Sequence, residues 1–182
     1  GTIENDVENK KGFEVVCDQA KSNGARSDAF HQAEKRRTSV PSEKLNKRDP
    51  SQEELNVLIK LFNQKKFQQV FDEAQNLVKR YNKSLALLNL MGASAAQIGK
   101  IDVAIIAFQN AINIEPNAAD AYNNLGNVLT EQGNLNEAKE SFNKAISIKP
   151  DYADAYNNLG NVFLDEDNLE AAAETFNQAL SI

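Results

Sequence analysis

The sequence predicts an all-α fold in which four helix pairs stack into a solenoid. The first observation is a repeat: the ten residues from Ala119 return unchanged 34 positions later from Ala153, and the 30-residue stretches that begin there share 19 identities. The second is the spacing of apolar residues. Tyr122, Leu125 and Leu129 lie three or four positions apart, which is the period of an amphipathic helix. Units of this kind bury their apolar stripes only by stacking on their neighbours.

The repeat can be carried back toward the N-terminus with growing divergence. It divides the chain into a degenerate unit at 51–84, units at 85–118 and 119–152, and a last unit at 153–182 that stops short of the full period. Each unit is predicted to form a helix, a turn and a second helix. In the third unit Gly133 interrupts the apolar period, Leu135 resumes it, and Pro150 prevents the second helix from continuing.

Several helix ends carry recognisable sequence signals. Ser51 followed by Glu54, and Asn134 followed by Glu137, have the spacing of a capping box, in which each side chain bonds to the other residue's backbone. In the last unit Asp167 stands where the two preceding units have a glycine. We therefore expect a strained turn at Asp167.

At these positions the chain resembles the tetratricopeptide repeats, over about 132 of its 182 residues. The signature of that family asks for a bulky residue, Leu-Gly and a second bulky residue in the first helix, then Ala, an aromatic residue, Ala and Pro. The third unit supplies all of them: Tyr122, Leu125, Gly126, Leu129, Ala138, Phe142, Ala145 and Pro150. The resemblance implies a right-handed superhelix. In the first unit Leu58 replaces the small residue, so we expect its two helices to be pushed apart.

The glycines and phenylalanines of the signature are expected to be structural. Glycine inside a helix costs about 1 kcal/mol relative to alanine, so its recurrence indicates a close approach between helices. The phenylalanine of the second helix is expected to fill the space beside it. The pairs are Gly92 with Phe108, Gly126 with Phe142, and Gly160 with Phe176.

Residues 1–48 differ in composition from the repeats. They mix charged and polar residues with thin apolar patches, so we expect a polar, largely flexible tail before a repeat domain at 49–182. The basic cluster around Arg36 has three possible roles: it contacts the acidic repeats, contacts a nucleic acid, or is merely solvated. One cysteine, Cys17, excludes an internal disulfide and favours a reducing compartment, so a cytoplasmic location is expected.

The sequence argues against catalysis and against a cofactor or metal site. The only histidine, His31, lies in the tail, and the single cysteine gives no metal-ligating partner in the repeats. There is no glycine-rich phosphate loop, and no apolar run of about 18 residues that would span a membrane. Residues 51–182 carry ten basic and seventeen acidic residues, and this net charge of −7 disfavours nucleic acid. A protein or peptide partner remains.

The resemblance also implies which residues line the concave wall of the solenoid. In this chain the candidates for a peptide-binding groove are mostly asparagines: Asn89, Asn123, Asn124, Asn127, Glu131, Asn157, Asn158, Asn161 and Asp165. A series of amides can hold an extended peptide by its backbone, and this one is similar to the asparagine ladder in the repeats of protein O-glycosyltransferases. The alternative interpretation is that these asparagines only keep a helix face hydrated.

The predicted groove differs from that of the members that bind chaperone tails, which grip a carboxylate with Lys and Arg. No cation stands at the matching positions here. We therefore expect a neutral to basic partner. Toward the N-terminal side the wall becomes apolar, with Leu55, Ile59 and Phe62 in the first unit and Ala86, Ala93 and Ala96 in the second. This end could hold an anchoring side chain, including Phe13 or Phe30 of the tail.

The last helix carries an apolar face that a following unit would normally cover. The candidates for a self-association face are Ala173, Phe176, Ala179 and Leu180. Three interpretations stay open: the chain is a fragment of a longer protein, copies pack on one another through this face or the tail, or the exposure is tolerated. The function predicted from the sequence is a non-catalytic scaffold that binds a peptide. The alternatives are a self-assembling structural module and the recognition arm of a larger enzyme.

Overall fold

A computed structural model describes residues 49–182, which form eight α-helices and no strands. The predictions for the tail, including its contacts and its flexibility, lie outside these residues. The helices are α1 (Gln52–Asn63), α2 (Phe67–Val78), α3 (Leu85–Gln97), α4 (Ile101–Ile114), α5 (Ala119–Glu131), α6 (Leu135–Ile148), α7 (Ala153–Asp165) and α8 (Leu169–Leu180).

Consecutive helices pair, and each pair also packs on the next, which confirms the predicted all-α solenoid. Helices α3 and α4, α5 and α6, and α7 and α8 pack closely, whereas α1 and α2 contact each other much less extensively. The looser packing agrees with the expectation from the sequence. Leu58 is buried at the position where the other units have Gly92, Gly126 or Gly160, and the buried Ala74 stands where they have the phenylalanine.

The predicted pairing of glycine and phenylalanine is confirmed in the other three units. A Cβ atom added to Gly126 would lie 2.5 Å from Cε1 of Phe142, which is too close for any real side chain. The corresponding distances are 2.7 Å between Gly92 and Phe108 and 2.6 Å between Gly160 and Phe176. Glycine is required here because each ring lies directly on the backbone of the first helix.

The turn inside each unit has a left-handed residue at the same position of the repeat. Gly99 and Gly133 adopt φ values of 75° and 83°, which cost glycine nothing. Lys65 and Asp167 adopt 58° and 56° at the equivalent positions. The strained turn predicted at Asp167 is therefore present, and the first unit has a second one at Lys65.

Helix starts follow the sequence signals only in part. At Ser51 the predicted capping box is complete, since the hydroxyl accepts from Glu54 N at 3.2 Å and the Glu54 carboxylate accepts from Ser51 N at 2.9 Å. At Asn134 the prediction is wrong. Its side chain makes no bond to the helix backbone and instead donates to Gln132 at 2.8 Å. Asn168, at the same position of the last unit, does cap its helix by accepting from Ala171 N.

Ion pairs within residues 49–182 involve the residues that follow helix ends: Arg80, after α2, pairs with Glu54 of α1 at 3.7 Å, and Glu166, after α7, pairs with Lys139. Lys139 on α6 donates to both oxygens of Glu166 at 2.6 and 2.8 Å, which ties the third unit to the fourth. None of the helices in residues 49–182 has both the length and the apolar composition needed to cross a membrane. Nor does that part of the chain contain a cluster of three or more potential metal ligands.

Candidate peptide-binding groove

The first helices of the four units, α1, α3, α5 and α7, are called the inner helices below. They line an open cavity of about 380 Å³. Its polar lining comes from successive inner helices and consists of Gln97, Asn124, Asn127, Thr130, Glu131, Asn158 and Asn161. Because the units repeat, the amides recur at the same two positions of α5 and α7 rather than clustering at one point.

Five of the nine predicted groove residues line this cavity: Asn124, Asn127, Glu131, Asn158 and Asn161. The other four predicted residues, Asn89, Asn123, Asn157 and Asp165, do not line it. Asn123 is buried, with only 6% of its surface exposed. Asn89 is half-buried, whereas Asn157 and Asp165 are exposed on α7.

One amide of the predicted series serves the packing between units. Asn158 Nδ2 on α7 donates to Asn123 Oδ1 on α5 at 3.0 Å. This bond satisfies a buried acceptor and joins two adjacent inner helices. Asn158 is therefore partly committed to the solenoid itself, a role that the sequence pattern did not reveal.

The equivalent pair one unit earlier is not bonded. Asn124 and Asn89 stand 34 positions before Asn158 and Asn123. Asn89 Oδ1 is buried without a hydrogen-bond partner in residues 49–182, and the side chain of Asn124 makes no hydrogen bond within the same residues while it lines the cavity. The same two positions of the repeat thus form a structural bond in one place and leave an available amide in the other.

This difference predicts unequal effects of two alanine substitutions. Asn158→Ala should lower the free energy of unfolding by about 1–3 kcal/mol, because it leaves the buried Asn123 oxygen unpaired. Asn124→Ala, at the same position of the preceding unit, should change it by less than about 0.5 kcal/mol. Urea denaturation of both variants followed by circular dichroism measures this difference. Equal losses would contradict the assignment of the two amides.

The electrostatic character of the inner helices is acidic. Helices α3, α5 and α7 contain four carboxylates, Asp120, Glu131, Asp154 and Asp165, and neither lysine nor arginine. The half-buried Tyr152 lies near two of these carboxylates, Asp120 and Asp154. Burial, followed by the neighbouring Asp120 carboxylate and the charge of Asp154, raises the pKa of Tyr152.

The raised pKa predicts an alkaline contribution to unfolding. An unfolded tyrosine titrates at about 10, so the protonated phenol stabilises the fold below that pH, and this stabilisation is lost as the pH rises further. Tyr152→Phe removes the titrating group while keeping the ring. The free energy of unfolding of this variant should fall less steeply between about pH 9 and 11 than that of the unsubstituted chain. Urea midpoints measured at a series of pH values test this. Equal slopes for the variant and the unsubstituted chain would contradict a contribution of Tyr152 to alkaline unfolding.

One end of the cavity is apolar. Phe62 on α1 with Ala93 and Ala96 on α3 forms this end, and Phe62 packs edge-on against Phe67 with ring centroids 5.1 Å apart. Sequence reasoning missed three other lining residues: Val128, Phe108 and Phe142. The two rings belong to second helices, and they reach the cavity because glycine at 92 and 126 leaves no side chain in front of them.

A second depression, of about 490 Å³, lies between the second helices α4 and α6. Its rim carries both Glu137 and Glu140 and the cation Lys144, and its floor includes Leu125 and Leu129 of α5. The charges are mixed, and the amides that line this depression, Gln109, Gln132 and Asn134, do not recur at one position of successive units. This depression therefore offers less to a partner's backbone than the inner-helix cavity.

The predicted self-association residues on α8 divide into two kinds. Ala179 is buried, and Phe176 is half-buried because its ring lies on Gly160 within the same unit. Ala173 is exposed and Leu180 is 84% exposed. Exposed apolar surface on this helix also comes from Leu169, at 68%.

Comparison with known proteins places the repeats in a family. Two family models described as tetratricopeptide repeats match the chain, one at residues 94–133 and 126–167 and the other at residues 153–182. The degenerate first unit is not matched by either. No curated protein sequence is a significant match to the chain.

Solved structures share the fold. The crystal structure of MamA is 26% identical with a TM-score of 0.65, and the match covers 70% of this chain and 75% of that one. A MamA fragment from Desulfovibrio magneticus RS-1 is 23% identical with a TM-score of 0.65, covering 86% and 96%. YrrB, a TPR protein with an unusual peptide-binding site, is 20% identical with a TM-score of 0.61, covering 70% and 66%. With their helix pairs, their glycine and phenylalanine contacts and these matches, residues 94–182 belong to the tetratricopeptide-repeat family.

Proposed function

We propose that this chain is a non-catalytic interaction scaffold that binds an extended peptide segment of another protein along its inner helices. The observation that carries the proposal is the cavity in which Asn124, Asn127 and Asn161 present side-chain amides from two successive units. The side-chain amide of Asn124 makes no hydrogen bond within the described residues, and the carbonyl and N–H of a peptide backbone are suitable partners for a free amide.

The repeat explains why an extended ligand is favoured. Amides at one position of each unit are spaced by the distance between adjacent inner helices, which is about 10 Å for packed helices. An extended chain advances about 3.3 Å per residue, so it meets a new set of amides roughly every three residues. Bonds to the backbone hold such a segment largely independently of its side chains. YrrB, which shares the fold, is a protein with a peptide-binding site.

The test is affinity selection from a random twelve-residue peptide library on the full chain, followed by fluorescence anisotropy with the selected peptides. Asn124→Ala combined with Asn127→Ala should weaken binding by about tenfold or more, since each net hydrogen bond contributes about 1 kcal/mol. The matched control is Asn136→Ala with Asn143→Ala, two exposed asparagines on α6 that do not line the cavity. Equal affinity for the cavity variant and the control would reject this site.

Self-association is a second candidate, favoured by the exposure of Leu169 and Leu180 on α8 and of Val57 and Ile59 on α1. Two apolar surfaces at different places on one chain permit a head-to-tail contact between copies. Light scattering of the full chain across about a hundredfold range of concentration tests it. Mass that rises with concentration, and falls back with Leu180→Glu, would favour this function; a constant monomer mass would reject it.

A further inference from the structure

We infer that the groove selects a peptide with one apolar side chain and basic side chains three and six positions away from it. This inference rests on the proposed function and specifies its ligand. It follows from three features of the inner helices: an apolar end, carboxylates beyond it that form no ion pair within residues 49–182, and the regular spacing of the units.

The apolar end is built from small side chains around one large ring. Ala93 and Ala96 of α3 leave space in the wall, and Phe62 of α1 forms its side while remaining half-buried. No charged residue of the first or second unit is among the described residues that line the cavity. A partner's leucine-sized side chain placed here would exchange water for contacts with three apolar residues, which favours binding.

The carboxylates stand at one position of the repeat in the next two units. Glu131 lines the cavity, and Asp165 lies 34 residues later at the same position of α7. Neither forms an ion pair within residues 49–182, whereas Glu54 pairs with Arg80 and Glu166 with Lys139. Since α3, α5 and α7 contain no cation, basic side chains of a bound segment meet these carboxylates without a competing cation on the same helices.

The spacing of the units determines the spacing in the ligand. The bond between Asn158 and Asn123 shows that adjacent inner helices touch through their side chains, so their axes lie about 10 Å apart. A polyproline II segment rises about 3.1 Å per residue and repeats every three residues, so every third side chain points the same way about 9.3 Å further on. A β-strand presents every second side chain instead. The apolar end, Glu131 and Asp165 therefore match every third position of a polyproline II segment.

The probes are fluorescently labelled peptides with alanine and proline spacers. One carries leucine followed by lysine at the third and sixth positions after it, and a second has the reverse order, because the direction of the ligand is not specified by the three features. In the comparison peptides glutamate replaces both lysines, serine replaces the leucine, or the lysines are moved to the second and fourth positions. Anisotropy on the full chain at low salt gives the affinities.

We expect one direction of the leucine–lysine peptide to bind about tenfold more tightly than its glutamate counterpart and about fivefold more tightly than the serine and shifted peptides, in line with weak surface ion pairs and partial apolar burial. Glu131→Lys with Asp165→Lys should reverse the preference between lysine and glutamate. The matched control, Glu137→Lys with Glu140→Lys on α6, makes the same change in net charge outside the groove and should not reverse it.

The results separate this inference from the function on which it rests. One possible result is that the lysine and glutamate peptides bind with equal affinity and that both lose binding in the Asn124→Ala, Asn127→Ala variant. This result would overturn the charge preference but would still support the groove as the binding site. A preference that reverses equally in the α6 control would overturn it as well, since net charge alone would then explain it. Failure of all these probes and of every library-selected peptide to bind would overturn the proposed function itself.

Discussion

Replacing Phe142 by alanine is expected to lower the free energy of unfolding by about 3–5 kcal/mol. Its ring is 1% exposed, lies on the backbone at Gly126 and forms part of the floor of the cavity. No nearby side chain can fill the space on the helix side, because glycine has none. The loss should therefore include both the buried surface of the ring and the cavity that remains. Urea denaturation of the full chain, followed by circular dichroism, measures it.

Phe176→Ala is the matched comparison in the last unit. Its ring has the same contact with Gly160 but is only half-buried, so less surface is lost and a smaller effect is expected. Both variants replace phenylalanine by alanine, but they lie in different units and the two rings differ in burial. A loss below about 1 kcal/mol for Phe142→Ala would contradict its role in the core, since that is far below the usual range for a buried ring.

Gly126→Ala is expected to lower the free energy of unfolding by about 1–3 kcal/mol, the usual cost of overpacking. In an exposed helix this substitution would stabilise the chain by about 1 kcal/mol. Here the new Cβ would lie 2.5 Å from Cε1 and 2.7 Å from Cζ of Phe142. Either the ring or the helix must move, and both are held by the rest of the unit. Gly126→Ala is therefore expected to destabilise the chain, although helix propensity alone predicts that it stabilises the chain.

A double-mutant cycle tests whether the ring is the cause. Leucine at position 142 is shorter than phenylalanine, so Gly126→Ala should cost much less, or become stabilising, when combined with Phe142→Leu. The coupling between the two positions should exceed about 1 kcal/mol, as it does for residues in direct contact. Additive effects would mean that the clash with Phe142 does not explain the glycine.

The architecture was predictable from the sequence because the repeat displays the same constraint several times. Gly126 and Gly160 recur with Phe142 and Phe176 at fixed spacing, and only a close helix contact explains a helical glycine kept in register. Leu58 broke that pattern, and the predicted consequence, a looser first helix pair, is what the structure shows.

The candidate site was only partly predictable. Sequence register placed Asn124 and Asn158 at equivalent positions, yet the side chain of Asn158 bonds to Asn123, whereas that of Asn124 leaves Asn89 Oδ1 without a partner in the described residues. Whether an amide meets another depends on side-chain rotamers and on small shifts between units, which a periodic sequence does not encode. The same limit explains Asn134, whose capping signal was present but whose side chain bonds to Gln132 instead.

The most direct test of peptide binding along the inner helices is an NMR titration of the isotope-labelled full chain with a library-selected peptide. The predicted result is chemical-shift changes in the backbone of α3, α5 and α7 and in the side-chain amide groups of Asn124 and Asn127, with those of Asn136 and Asn143 unaffected. Changes confined to α4 and α6, to α8 or to residues 1–48 would contradict the assignment of the groove.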